Sequence, residues 1–232
     1  MELPGAPRIR LVVFDCDGVL VDSEALACGV EAQALTALGH PITGEEVARR
    51  YAGMSDADMR RSVEREIGRA LPPDHGSRCA AALEEVFRRE LRPVEGMAAV
   101  VDAVTAVGVR RCVASSSGPE RLRLALTVTG LWEKFAPNVF SARMVARGKP
   151  APDLFLFAAE QMGTAPAACL VVEDSVPGVL AARAAGMTAV GFAGGGHCGP
   201  DHAARLWEAG ADRVCADTPA LAASLRGFGA AA

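Results

Sequence analysis

Two carboxylates, Asp15 and Asp17, stand two residues apart where an apolar run, Leu11-Val12-Val13-Phe14, meets Gly18. A strand residue and its second neighbour point the same way, so both acids address one small volume at the strand's end. Clustered carboxylates repel each other unless a cation lies between them. The pattern therefore predicts a carboxylate site for a divalent cation, and Mg2+ suits one or two carboxylates with water and phosphate oxygens as its remaining ligands. Asp-x-Asp-Gly alone is equally met by an ordinary turn. The extended run Asp15-x-Asp17-Gly18-Val19-Leu20-Val21-Asp22-Ser23-Glu24 is far more specific.

Three further groups suit the same chemistry: Ser115-Ser116-Ser117-Gly118, Lys149-Pro150 and Glu173-Asp174-Ser175. A phosphate monoester is a dianion, and its site needs positive charge, hydrogen-bond donors and a nucleophile. Lys149 supplies charge. It is one of only two lysines among 24 basic residues, so a sequence that otherwise chooses arginine keeps a compact ammonium at this position. Ser115 and Ser116 offer donors in a loop before a helix N-terminus, where anions are favoured. Asp15, Asp17, Glu173 and Asp174 are the candidate metal ligands, with Asp15 and Asp174 the natural pair. An Asp15 oxygen can attack phosphorus, and Asp17 can protonate the leaving oxygen and then deprotonate water.

These groups need elements to bring them together. Strands are expected at 9–14, 111–114, 139–140, 169–172, 188–192 and 213–215. Helices are expected at 96–107, 120–128, 153–162, 176–185, 201–209 and 219–225, and 227–232 as a loose tail. Strands alternating with helices predict an α/β fold, a Rossmann-like parallel sheet covered on both faces, with ligands bound beyond the carboxyl ends of its strands. From Ser23 to Leu91 the pattern is helical throughout. Helices are expected over 25–38, from a capping box at Ser55 and Asp58, and over 77–91. Met59, Val63 and Ile67 form an apolar stripe in the second of these. The expected division is an α/β core of residues 1–22 and 92–232, interrupted by an all-helical insert of residues 23–91.

Composition narrows the classes. Half the residues are hydrophobic and 22% are charged, which predicts a packed core. The net charge of −4 argues against nucleic-acid binding. No apolar run is long enough for a membrane span, and the first residues lack signal-peptide character. Seven scattered cysteines without a Cys-x-x-Cys pair predict reduced thiols and a cytoplasmic protein. The four histidines show no metal-ligand spacing and are expected at the surface or as caps. His197, beside Gly194-Gly195-Gly196, is the one able to approach the site. A monomer acting on a small phosphorylated metabolite is expected.

The motifs resemble those of the haloacid dehalogenase superfamily, most of whose members are phosphatases. Asp15-x-Asp17-Gly18 resembles its nucleophile motif, and Val113-Ala114-Ser115 its second motif, with Ser115 as phosphate-binding hydroxyl. Gly148-Lys149-Pro150-x-Pro152-Asp153 resembles its lysine motif, and Val172-Glu173-Asp174-Ser175-x-x-Gly178 its acidic metal motif. The helical insert resembles the family's small cap. Arg49-Arg50-Tyr51-Ala52-Gly53-Met54-Ser55 resembles the cap's specificity loop, which makes Arg49 and Arg50 candidate substrate ligands. The resemblance implies a Mg2+-dependent phosphatase working through an aspartyl-phosphate, similar to bacterial sugar-phosphate phosphatases of the 6-phosphogluconate type. Asp17 argues against dehalogenation, where a halide leaves without a proton. The absence of lysine from the insert argues against a Schiff-base phosphonate hydrolase. A β-phosphoglucomutase shares the core motifs, but Ala27 and Asp56 stand where its cap histidine and arginine belong. A retired enzyme serving as a binding module would be expected to lack Asp15, Lys149 or Asp174.

Overall fold

The computed structural model of the chain describes residues 9–51, 54 and 56–229. Leu11–Phe14 (β1) is buried along its whole length. It lies mid-sheet between Arg110–Ser115 (β2) and Cys169–Glu173 (β4). Val139–Ser141 (β3) flanks β2, while Thr188–Phe192 (β5) and Arg213–Cys215 (β6) follow β4. Every pairing is parallel, and the order is β3-β2-β1-β4-β5-β6.

Successive strand residues serve opposite faces, so the apolar run of β1 divides between two cores. Val12 and Phe14 join Val113, Leu170, Val172 and Phe192 on one face. That face is covered by Met97–Ala106 (α5), Pro119–Val128 (α6), Trp132–Phe135 (α7) and Thr218–Gly229 (α11). Leu11 and Val13 join Cys112, Ala114 and Val171 on the other. It is covered by Asp153–Gln161 (α8), Val176–Ala184 (α9) and His202–Glu208 (α10).

Between β1 and α5 the chain is helical: Glu24–Ala37 (α1), Gly44–Tyr51 (α2), Asp56–Ile67 (α3) and His75–Glu90 (α4). Val63 packs with Leu35, Val47, Tyr51 and Leu71, with Met59 and Ile67 against them, so the expected stripe faces a small core inside the insert. Phe87 of α4 instead belongs to the large core. The insert's two connections lie side by side, with Asp22 N–H donating to Arg92 O at 3.0 Å and Val94 N–H to Leu20 O at 3.0 Å.

Three elements depart from the sequence reading. α2 is an additional helix, capped reciprocally by Thr43 and Glu46, each backbone N–H bonding the other's side chain at 2.9 and 3.2 Å. α7 is a single turn, too short to show a period. α11 runs to Gly229, into the stretch expected as tail. Ser55, the expected cap of α3, lies outside the described residues, as do Ala52 and Gly53 of the expected specificity loop.

Candidate active site

β1 ends at Phe14, and Asp15 continues its pairing through N–H to Val172 O at 3.0 Å. The chain then closes a tight turn, in which Leu20 and Val21 N–H both donate to Cys16 O. Gly18 sits in this turn at φ +77°, and a Cβ there would lie 2.0 Å from Asp174 Oδ2. Glycine is needed twice over, for the backbone conformation and for the approach of the neighbouring motif. Cys16 faces the core, away from both aspartates.

Lys149 is the centre of the arrangement. Its ammonium donates to Asp15 Oδ1 at 2.7 Å, to Glu173 Oε1 at 2.5 Å and to Ala114 O at 3.2 Å. Three donors meet three acceptors from three motifs, a match that a planar guanidinium cannot reproduce. Only 5% of the Lys149 side chain is exposed. Burial opposes its charge, but Asp15 and Glu173 outweigh burial and raise its pKa, so it is protonated.

Glu173 is fully engaged. Its second oxygen accepts from Ser175 N–H at 2.9 Å and Ser175 Oγ–H at 2.8 Å. Ser175 caps α9 by accepting from Gly178 N–H at 3.1 Å. A Cβ on Gly178 would fall 1.9 Å from the Glu173 carboxylate, so this glycine makes the room that carboxylate fills.

Asp15, Glu173 and Asp174 place carboxylate oxygens within 4.8 Å of one another. Burial raises the pKa of Asp15, and the charges of Glu173, Asp174 and Asp17 add to it against Lys149. Burial likewise raises Asp174. Anions crowded in this way, with one ammonium among them, suit a divalent cation, which would reverse both shifts. Both Glu173 oxygens accept hydrogen bonds, whereas Asp15 and Asp174 each have one oxygen paired, to Lys149 and to His197. Glu173 lies in this cluster with Asp15 and Asp174 and also fixes Lys149.

Asp17 is turned elsewhere. Its carboxylate accepts from Ser23 Oγ–H at 2.6 Å, Ser117 Oγ–H at 2.6 Å and Arg121 at 3.2 Å. Burial would raise its pKa, but the Arg121 charge and these hydrogen bonds outweigh burial and lower it. Both oxygens of the Asp17 carboxylate, an expected metal ligand, accept hydrogen bonds in this geometry.

Ser115 is buried and its Oγ accepts from Ser117 N–H at 3.1 Å, whereas Ser116 is exposed. Ser117, rather than Ser116, is the loop serine that reaches an acid. Arg50 pairs with Glu66 of α3 at 2.5 Å, and among the described residues no hydrogen bond joins Arg49 or Arg50 to the motif residues. Ser117 could have been found from its place in the serine loop. Nothing in the sequence marks Arg121, which stacks 5.2 Å from the Phe87 ring of α4 and so links Asp17 to the insert.

The histidines are less open than the surface-or-cap expectation, since each is only partly exposed. His197 Nε2 lies 2.9 Å from Asp174 Oδ2, and His202 Nε2 donates to Asp174 O at 2.6 Å. Burial disfavours charge on His197, but Asp174 and Cys198 outweigh it and raise its pKa to about 10. His40 and His75 pair with Glu66 and Glu31.

The family model for haloacid dehalogenase-like hydrolases matches residues 9–186. The 6-phosphogluconate phosphatase of Escherichia coli is 30% identical over 194 residues, covering 83% of this chain and 86% of that protein. A haloacid dehalogenase-like protein of unknown function from Agrobacterium tumefaciens superposes with a TM-score of 0.84 at 40% identity, covering 95% of this chain and 99% of that one. A family hydrolase from Deinococcus radiodurans, solved with phosphate and sodium, gives a TM-score of 0.82 at 35% identity, covering 96% and 97%. With its four motifs converging on one buried cluster, the chain belongs to the haloacid dehalogenase-like hydrolases and is a phosphoric monoester hydrolase of that family.

Proposed function

We propose that the chain hydrolyses a small sugar phosphate or related organic phosphate, with Asp15 as nucleophile and Mg2+ held by Asp15 and Asp174. The observation that carries this is the three-way cradle of Lys149, which holds one Asp15 oxygen and leaves Oδ2 without a donor among the described residues. An Asp15 oxygen forms a bond to phosphorus as the ester P–O bond breaks, and Asp17 gives its proton to the leaving oxygen. Asp17 then takes a proton from water as that water attacks phosphorus, releasing phosphate and restoring Asp15. Asp17, held ionised by Arg121 and its two serines, is set for the second half of this cycle. Substrate binding must weaken that hold for the first half. Mg2+, when bound, supplies charge neutralisation for the phosphoryl oxygens.

Residues 23–91 act in this reading as a cap that selects the substrate. Support comes from their separate small core and from the paired connections at Asp22 and Arg92. Ala27, in the first turn of α1, has no group to exchange protons in a mutase reaction. The seven free cysteines support a reducing, cytoplasmic setting. No described helix is long and apolar enough to cross a membrane.

The test is a release assay with p-nitrophenyl phosphate, sugar phosphates, phosphogluconate and phosphoglycolate, with Mg2+ and after chelation. Phosphate release from a sugar phosphate that stops on chelation supports the proposal. Full activity in excess chelator removes the metal from it, and isomerisation of β-glucose 1-phosphate without free phosphate replaces it with a mutase.

A further inference from the structure

A second group of metal-type donors lies in the insert, between its first and last helices. His75 and Cys79 stand four residues apart on α4, so they share one helix face. Glu31 comes from α1. His75 Nε2 lies 2.8 Å from Glu31 Oε1, and Cys79 Sγ lies 3.7 Å from the same nitrogen. One donor atom from each of the three residues falls within 4.8 Å of the other two.

We propose that Glu31, His75 and Cys79 bind a divalent cation of zinc or cobalt type, tying α1 to α4. The donor set is one thiolate, one imidazole and one carboxylate, which a borderline-soft ion accepts and Mg2+ does not. In a tetrahedral zinc site, bonds of about 2.0–2.3 Å separate neighbouring donors by about 3.3–3.6 Å. The sulfur–nitrogen spacing is already close to that, and the nitrogen–oxygen pair needs to open by only about half an ångström. Three protein ligands leave a fourth position for water, and the Glu31 side chain, 21% exposed, gives the ion a path from solvent. Without a cation, burial and the Glu31 charge push the Cys79 thiol up to about 12, so metal capture must release its proton. A bare histidine–glutamate bond with a packed thiol beside it accounts for the same contacts without a function, and it predicts no metal binding.

The location gives the site a consequence. α1 begins at the chain's passage into the insert and α4 ends at its return, so an ion here joins the two helices nearest the paired connections. Filling it stiffens the cap without touching the carboxylates of the core.

The experiment uses the full chain, stripped by chelator and held in excess Mg2+, titrated with Co2+. A thiolate-to-cobalt charge-transfer band is expected to saturate near about one equivalent. It disappears in Cys79→Ser, disappears or weakens strongly in His75→Gln, and persists in Cys198→Ser, which disables the other thiol-containing cluster at His197 and His202. Zn2+ should raise the unfolding midpoint of the unmodified protein in a concentration-dependent way and leave that of Cys79→Ser unmoved. Unchanged p-nitrophenyl phosphate turnover in Cys79→Ser shows that the variant is folded, and His75→Gln carries the test if it is not. The absence of a band, its survival in Cys79→Ser, or its loss in Cys198→Ser overturns the proposal.

Discussion

The active site and the insert use their charged residues in opposite ways. In the site, Lys149, Asp15 and Glu173 have side chains exposed by 5%, 9% and 1%, and the Lys149 ammonium joins both carboxylates. In the insert, Arg50 and Glu66 are exposed by 40% and 29%, and Arg88 pairs with Glu84 and Glu85 on an open helix face. Removing one member of a buried group leaves a charge without compensation, whereas an exposed pair is replaced by water at little cost. The site's geometry is thus fixed by mutual need. The insert's surface charges are free to vary, and its shape rests on the Leu35, Val47, Tyr51 and Val63 cluster.

The difference is sharpest at Asp15. Asp15→Asn should abolish turnover of p-nitrophenyl phosphate while circular dichroism shows an unchanged fold, because an amide is a poor nucleophile and removes charge from the cation site. Substantial activity in the purified variant would mean that the buried cluster is structural. Asp17→Asn comes next. Acid–base groups supply about 10²–10⁴-fold, and a loss of that order is expected on an alkyl phosphate. On p-nitrophenyl phosphate, whose leaving group needs little protonation, the loss should be smaller, and equal losses on the two substrates would deny Asp17 the acid role.

Gly178→Ala tests the packing beneath the chemistry. The new Cβ meets the Glu173 carboxylate, and overpacking of this kind costs about 1–3 kcal/mol, measurable as a lower denaturant midpoint. A wild-type midpoint would show that Glu173 can move aside while Lys149 stays held. Arg50→Ala should do least. Its partner is Glu66, so the expected stability change is at most about 1 kcal/mol, with no change in kcat/KM of an acidic sugar phosphate relative to p-nitrophenyl phosphate. A selective rise in KM for the acidic sugar would return Arg50 to substrate binding and erase the contrast between the regions.

Much of this was legible along the chain because its signals are local. The apolar run before Asp15, the alternation of strands and helices, and the glycine after each acidic motif follow from backbone geometry and burial over a few residues. The stripe of Met59, Val63 and Ile67 did so too, and the capping box at Thr43 and Glu46 was there to be read. The rarity of lysine, present only at 134 and 149, also pointed to position 149, where an ammonium meets three acceptors.

Contacts between distant segments were decided by the tertiary structure. Arg121 reaches Asp17 across 104 positions, and His197 and His202 reach Asp174 only once the segment leading into α10 folds back from β5. Which serine meets Asp17 depends on the direction the loop leaves β2, and whether Arg50 faces substrate or Glu66 depends on how α2 packs on α3. Such pairings carry no sequence period, because what brings the partners together is the packing of elements that each sequence segment specifies only by itself.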